Sequence, residues 1–379
     1  MEAELADRWL DEFSIKRHCV HFNHAGVCPL PARAAAAVSA LAADQRDHGP
    51  ANYARWHEVA DRGRQRLAKL LGARPDEVCY VKNTTSGLII AAESIPWREG
   101  DNVVVADVEF PANVYPWLNL ARRGVQTRFV PARDSLPSVD DYAAAADDRT
   151  RALAVSWVQF ATGQRADLAA LGELAHSLGA YLVVDAIQGL GALEIDVEEQ
   201  GVDFLSADGH KWLLSVEGCG VLYVSRRVIE DLEPFWLGWM SVENASDYLN
   251  YHQRPLQGAG RFEEGSLNML GIYALDASVG LMLEVGPGEI ERRIMQLTDR
   301  LIEGLRGLDC EMTSPLGSGE RSGIVCFRHE RVPSGEIVAG LRERGITTAD
   351  RMQSVRVSPH FYNDEGQVER MLEALGEIL

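Results

Sequence analysis

The amino-acid sequence predicts an α/β protein with a large domain built on a mostly parallel sheet and a smaller α+β domain at its C-terminal end. Short apolar segments rich in β-branched residues alternate with Ala- and Leu-rich helical patterns such as residues 167–179. Near-continuous apolar strands separated by helices are typical of a parallel sheet that helices cover on both faces. The pattern changes near residue 275, where the predicted strands become fewer and the helices longer.

Five segments of the large domain are predicted as strands, because each contains a short, nearly continuous apolar run. They are residues 101–110, 151–160, 180–189, 202–208 and 220–225. A helical pattern over 269–286 then leads to two further strands, in SGIVCFRHE (322–330) and SVRVSPHF (354–361), each followed by a helix. We expect a large domain at 31–274, a small domain at 275–379, and a segment at 1–30 that joins the small domain or covers the site.

Composition restricts the class of protein. With 379 residues, 46% of them hydrophobic and a net charge of −19, the chain is predicted to be globular, with neither nucleic acid nor an anionic membrane as a partner. The six cysteines form no C-x-x-C pair, which argues against a zinc ribbon or a disulfide framework. The first residues are acidic and lack the apolar core typical of a signal peptide, and no apolar stretch approaches 18 residues, so we expect a cytoplasmic protein.

Two charged residues stand at the ends of neighbouring predicted strands. Asp185 ends the apolar run VVD, and Lys211 follows the next strand. Ligands of α/β sheets bind at the carboxyl ends of the strands, where a buried Asp needs a cation and a buried amine needs a reason to be neutral or covalently engaged. Pyridoxal phosphate (PLP) requires both, since its aldehyde forms a Schiff base with a lysine while an Asp keeps its ring nitrogen protonated.

PLP also requires a phosphate site. Thr84, Thr85 and Ser86 stand directly before an apolar helical run, so their hydroxyls and the helix N-terminus can converge on a phosphate. The same residues could instead serve as an ordinary helix cap. Together with Asp185 and Lys211, the phosphate site is the better interpretation.

Two other kinds of site are disfavoured. His18, His21 and His24 are spaced by three in a stretch that favours a strand, which turns alternate imidazoles to opposite faces, so we expect no metal. The segment GLGALE (189–194) contains G-x-G without the third glycine of a dinucleotide-binding fingerprint.

The motif D-x-x-Q (Asp185, Gln188) followed by GHK (209–211) resembles the class V aminotransferase superfamily of PLP fold-type I. That superfamily includes cysteine desulfurases, selenocysteine lyases, kynureninases and isopenicillin N epimerase-like enzymes. The resemblance continues through NHAGVCPLP (23–31), EFPANVYPW (109–117), RFEEGSLN (261–268) and VRVSPHFYN (355–363). It implies a seven-stranded, mostly parallel sheet in the large domain and a homodimer with shared active sites.

The resemblance also implies roles for single residues at the cofactor. Lys211 would carry PLP, Asp185 would contact the ring nitrogen, and Gln188 would face the phenolic oxygen. His210, Thr85 and Ser86, beside Thr84, would contact the phosphate. Phe110 would stack on the ring, and Ser266 matches a Thr that reaches the partner subunit's phosphate. In the substrate site, Arg356 would bind the carboxylate of an amino acid, while Asn23 and His24 would line the mouth.

The chain departs from the desulfurase pattern in several places. Phe110 replaces a histidine and Phe160, next to Gln159, replaces an asparagine, so the phenolic oxygen would rely on Gln188 or on Gln159. Asp208 would have to point away from the phosphate or pair with His210. The segment between Ile346 and Arg356 contains no cysteine.

These departures, the missing cysteine above all, favour a C–S lyase acting by β-elimination on a cysteine-derived substrate. The alternative is an aminotransferase or an epimerase of an amino acid in secondary metabolism.

Overall fold

The computed structural model describes residues 9–132, 136–317 and 319–379. Within these residues the strands, in chain order, are β1 Val20–His21, β2 Val78–Val81, β3 Asn102–Ala106, β4 Gln126–Val130, β5 Thr150–Ser156, β6 Tyr181–Asp185, β7 Phe204–Asp208, β8 Gly220–Val224, β9 Glu311–Met312, β10 Val325–Arg328, β11 Ile346–Thr347, β12 Ala349–Arg351 and β13 Ser354–Val357. The α-helices are α1 Ala32–His48, α2 Tyr53–Leu71, α3 Thr84–Ser94, α4 Tyr115–Asn119, α5 Val139–Ala145, α6 Leu168–Ser177, α7 Met269–Val285, α8 Pro287–Gly307, α9 Ser334–Glu343 and α10 Glu365–Ile378.

The large sheet has seven strands in the order β2-β8-β7-β6-β5-β3-β4. The pairs among β4, β3, β5, β6 and β7 are parallel, whereas β8 is antiparallel to both of its neighbours. The predicted α/β class with a mostly parallel seven-stranded sheet is therefore confirmed. The five predicted segments contain β3, β5, β6, β7 and β8, while β2 and β4 were not predicted.

Both faces of this sheet are buried, which explains the continuous apolar runs. On β3, Val104 packs into one apolar core, whereas Val103 and Val105 pack into a second core on the opposite face. Each such side chain contributes about 1.5–3 kcal/mol to folding by leaving water. The resulting rigid sheet holds the carboxyl ends of β5, β6 and β7 in fixed positions.

The smaller sheet has the order β12-β13-β10-β9 and is antiparallel throughout. The N-terminal segment joins this side of the molecule, because β1 pairs in parallel with β11, with Val20 opposite Ile346. A third apolar core lies between these strands and α8, α9 and α10.

The predicted domain boundary at 274/275 falls inside α7, whose buried residues Ile272, Leu275 and Val279 all pack into one core of the large sheet. The helix ends at Gly286, where φ is 97°. Ile290 of α8 packs into the same core, so the position of the boundary stays a prediction. Among the described residues no single helix is long and apolar enough to cross a membrane, although α7 and α8 together, bent by 79°, reach that length and composition.

Candidate active site

Asp185 is the last residue of β6, at the carboxyl edge of the large sheet, in register with Ser156 of β5 and Ser206 of β7. Its side chain is only 2% exposed and accepts a hydrogen bond from the Ile187 backbone N–H at 3.1 Å. Burial raises the pKa of Asp185 to about 6, although this N–H and the charge of Lys211 favour the carboxylate. A carboxylate held in this position is suited to pair with a buried cationic group.

Lys211 stands in the loop that follows β7. Burial lowers the pKa of its amine to about 8, against the attraction of Asp185, and the charge of Arg356 lowers it further. Its Nζ lies 5.8 Å from the centre of the Phe110 ring. An amine with this pKa is neutral for part of the time near pH 7, as a nucleophile or a base must be.

The loop of Lys211 is held through its neighbour Trp212. The indole Nε1 of Trp212 donates to Gln188 Oε1 at 3.0 Å, and its carbonyl oxygen lies 3.0 Å from Nε2 of His360. Gln188 Nε2 donates to the Ala25 carbonyl at 3.1 Å. The structure thus places Gln188 beside the lysine loop, with both ends of its amide bound to protein groups. Only the second hydrogen of its Nε2 is left to bind a phenolic oxygen.

The predicted phosphate site begins with a true helix cap. Asn83, which the sequence reasoning missed, accepts hydrogen bonds at Oδ1 from the backbone N–H and the hydroxyl of Ser86, at 2.9 and 3.1 Å. Thr84 is buried, and its Oγ1 accepts a hydrogen bond from the Asp208 backbone N–H at 2.9 Å. The cap therefore joins the start of α3 to the end of β7, the strand that precedes the lysine.

The remaining predicted phosphate ligands lie around this cap. His210 Nδ1 lies 2.9 Å from Asp208 Oδ2, so of the two alternatives for Asp208 the contact with His210 is present, as an ion-pair distance without hydrogen-bond geometry. Ser86 and the exposed Ser266 line the same cavity, of about 420 Å³. Thr85 is half-buried and lines a different cavity. Within one chain, Ser266 therefore shares a cavity with Ser86, whereas Thr85, the neighbour of Ser86 in the sequence, lines another cavity.

Arg356 is the most unusual charged side chain in this region. It is 1% exposed, and Nη1 donates to the Phe160 carbonyl at 2.7 Å. Its Nε and Nη2 are also buried, and neither has a hydrogen-bond partner among the described residues. Burial lowers the pKa of Arg356 to about 10, and the charge of Arg351 adds to the effect. Two buried donors on one edge of a guanidinium match the two oxygens of a carboxylate.

Phe110 and Phe160 complete the floor of the site. Their rings meet edge to face, with centres 5.2 Å apart, and Phe110 remains 44% exposed. An exposed aromatic face next to Lys211 is free to stack on a planar ring. The side-chain oxygen of Gln159 is turned away from the Phe110 ring. It accepts hydrogen bonds from the Ala161 and Thr162 backbone N–H groups.

The two residues predicted at the mouth have different placements. Asn23 is half-buried, and its Oδ1 has no partner among the described residues. His24 is fully buried, with Nδ1 2.8 Å from the Ser358 carbonyl and Nε2 2.7 Å from the Tyr362 hydroxyl. The expectation for His24 is therefore corrected, because a side chain without exposed surface and with both nitrogens occupied holds the chain termini together and lines no mouth.

Glu109 is a buried carboxylate that the sequence reasoning missed. Its oxygens accept hydrogen bonds from the backbone N–H of Ser156, at 2.7 Å, and from the Ser156 hydroxyl. Burial raises the pKa of Glu109 to about 7, against these hydrogen bonds, and the charge of Asp185 raises it further. The only signal in the sequence is a carboxylate placed just before Phe110, after a buried strand. Its contacts fix the start of the Phe110 loop to β5.

These residues fit PLP. Lys211 can hold its aldehyde, Asp185 its ring nitrogen and Phe110 its ring face, and the unpartnered N–H groups of Arg356 can receive the carboxylate of an amino acid bound beside it. The cap at α3 supplies hydroxyl and N–H groups of the kind that bind phosphate.

Comparison with known proteins agrees with this arrangement. A family profile described as aminotransferase class V matches residues 41–371. A probable cysteine desulfurase of Methanothermobacter thermautotrophicus is 32% identical over 344 residues, which cover 83% of this chain and 82% of the relative. The isopenicillin N epimerase of Amycolatopsis lactamdurans is 30% identical over 339 residues, which cover 83% and 84%.

A solved structure shows the same fold. A variant of the enzyme C-DES, with glycine covalently linked to its PLP cofactor, superposes with a TM-score of 0.90 at 24% identity, over 98% of this chain and 99% of the other. The predicted fold type is thereby confirmed. With a family profile that spans most of its length, the chain belongs to the aminotransferase class V family of PLP-dependent enzymes.

Proposed function

We propose that this protein is a C–S lyase that removes a sulfur-bearing group from the β-carbon of a cysteine-derived amino acid. The observation that carries the proposal is the burial of its cysteine thiols. A desulfurase attacks sulfur with a mobile, partly exposed cysteine thiolate. All six cysteines lie in the described part of the chain, and four of them are buried.

Burial also makes five of the thiols poorly suited to ionise. Burial raises the pKa of Cys326 and of Cys28 to about 12, and that of Cys310 to about 11. Cys326 lies opposite Arg356 in the small sheet, but its Sγ donates to the Ala161 carbonyl at 2.9 Å. A thiol used in this way is a packed core group, and this supports departure of the substrate sulfur by elimination.

The residues of the site divide the work of such a reaction. Bound PLP supplies an electron sink for the pair left at Cα when its proton departs. Arg356 binds the α-carboxylate, and Asp185 keeps the ring nitrogen protonated. With PLP bound and the substrate's amine in place of its own, the amine of Lys211 would be the base that takes the Cα proton, because Phe110 offers no basic nitrogen. The sulfur group leaves with the electron pair of the C–S bond, and hydrolysis of the remaining enamine yields pyruvate and ammonia.

A cytoplasmic homodimer is part of the proposal. Ser266 is exposed, on a segment that also exposes the large apolar side chains of Trp236, Trp239, Leu249 and Tyr251. An exposed apolar surface of this kind favours contact with another protein. Because Ser266 lines a cavity with Ser86 of its own chain, a contact with the partner subunit's phosphate would require the two subunits to meet at this cavity. Sedimentation of the purified protein would then give the mass of a dimer.

The functions of similar proteins support the substrate class and leave a second candidate. One neighbour in the solved structures, with a TM-score of 0.87, is a cystine C–S lyase bound to its product cysteine persulfide. Similarity to an isopenicillin N epimerase favours the alternative, in which Cα is reprotonated and nothing leaves. Pyruvate release would indicate the lyase, inversion at Cα the epimerase, and a 2-oxo acid that keeps the side chain an aminotransferase.

The decisive experiment removes the thiols. A variant with all six cysteines replaced by alanine or serine is expected to keep most of its pyruvate release from S-substituted cysteines. Each single variant serves as a control for folding, measured by thermal unfolding. A single variant that stays folded and binds PLP, yet releases neither sulfur nor pyruvate, would replace the lyase with a desulfurase whose nucleophile has moved.

A further inference from the structure

A tight hairpin brings a second arginine to the side of the small sheet that carries Arg356. Strands β12 and β13 are joined by Met352 and Gln353, both with positive φ, of 48° and 61°. In the antiparallel register Ala349 lies opposite Arg356, and Arg351 lies opposite Ser354. Since side chains alternate along a strand, Arg351 shares the face of Ala349, and therefore the face of Arg356.

Arg351 is within electrostatic reach of the reacting centre. After burial, its charge is the next largest cause that lowers the pKa of Arg356. The charges of Arg356 and Arg351 also lower the pKa of Lys211, as burial does, whereas Asp185 raises it. Unlike Arg356, Arg351 is exposed, and its Nη1 donates to the carbonyl of the adjacent Asp350 at 2.6 Å. The hairpin thus presents one buried and one exposed guanidinium on one face.

We propose that Arg351 binds a second anionic group at the far end of the substrate side chain, so that the preferred substrates are amino acids with a side-chain carboxylate or sulfonate. This inference rests on the proposed function only in placing the amino acid between Arg356 and Lys211. Arg356 holds the α-carboxylate in the buried part of the site, and Arg351 holds the side-chain anion where the site opens to solvent.

The spacing of the two arginines fits such a ligand. Diagonal neighbours across an antiparallel pair have β-carbons roughly 7 Å apart, and both side chains are long and adjustable. In S-carboxymethylcysteine about five bonds separate the two carboxyl carbons, a distance of roughly 6 Å at ordinary bond lengths. A ligand of this length can place one carboxylate at each guanidinium.

The test measures binding to the PLP-loaded protein by calorimetry. The probes are L-2-aminoadipate and its 6-amide, which copy S-carboxymethylcysteine and its neutral amide with a methylene in place of sulfur, so that neither can undergo the elimination. The wild type is expected to bind the acid about tenfold more tightly than the amide. Arg351→Gln should reduce this ratio to below about twofold and leave the affinity for the amide nearly unchanged.

Arg342→Gln is the matched control, because Arg342 is an exposed arginine of α9, a helix that packs against the small sheet. It should keep the wild-type ratio. The proposal is overturned if the wild type binds acid and amide equally, if it binds neither, or if Arg351→Gln keeps the preference. Absence of pyruvate release from S-carboxymethylcysteine would instead contradict the proposed lyase activity. The ratio of the two dissociation constants tests the role of Arg351 independently of that activity.

Discussion

Replacing Arg356 with lysine is expected to raise KM for the amino acid far more than it changes kcat or the absorbance of bound PLP. In the wild type, Nε and Nη2 of Arg356 are buried and have no partner among the described residues. A bound carboxylate would supply two charge-assisted hydrogen bonds, each worth about 1.5–3 kcal/mol. Lysine can keep one of them at most, and the loss of the other corresponds to an increase in KM of roughly 10- to 150-fold.

The assay combines steady-state kinetics with the absorbance spectrum of each purified variant. Arg293→Lys is the control, because Arg293 is also a buried arginine but pairs with the carboxylate of Glu365. It should alter the free energy of unfolding and leave KM within about twofold, since the guanidinium of Arg293 is bound to the Asn363 carbonyl and to Glu365 at the start of α10, so that its charge is already paired. A normal KM for Arg356→Lys, or a loss of PLP binding that accounts for the kinetic change, would refute the assignment of Arg356 to the substrate carboxylate.

Two further substitutions test the buried titratable groups. Lys211→Ala should abolish the visible absorbance of covalently bound PLP while the protein stays folded. A borohydride-reduced adduct of the wild type that maps to Lys82, which lines the cavity of Ser86 and Ser266, would contradict the assignment. Glu109→Gln should flatten the pH dependence of stability in the PLP-free protein. Because the pKa of Glu109 is raised from 4.5 to about 7, the folded state keeps a proton that the unfolded state loses, so the wild type loses up to about 3 kcal/mol of stability as the pH rises through this window. Equal changes in urea midpoint between pH 4 and 8 for wild type and variant would show that Glu109 does not titrate there.

The strands of the large sheet that the sequence predicts are buried by both apolar cores and have at least five residues each. β3, β5, β6, β7 and β8 read as continuous apolar runs because helices cover the sheet on both sides. β4 is an edge strand whose first four residues are exposed or half-buried, so its sequence contains Gln126 and Arg128 and no apolar run. β2 has only four residues, and this is too short to stand out from the loops around it.

The site was predictable where a residue's position along the chain determines its chemistry. Asp185 and Lys211 stand at strand ends, and a sequence shows strand ends directly. Glu109 acquires its role from Ser156, 47 residues away, and His24 acquires its partners from residues more than 300 positions away. Such contacts exist only once the chain has folded, so the sequence could neither reveal the first nor exclude the second from the site.

The site is assembled from both sheets, and this has a consequence for how it binds an amino acid. Arg356 belongs to the small sheet but donates to the carbonyl of Phe160, whose ring contacts Phe110. Phe110 in turn lies under the amine of Lys211, at the edge of the large sheet. Any displacement of the small sheet would therefore move the carboxylate clamp relative to the amine that takes the Cα proton. A bound amino acid, held at its carboxylate by one sheet and at its amino group by the other, stabilises the arrangement in which the proton and the amine meet.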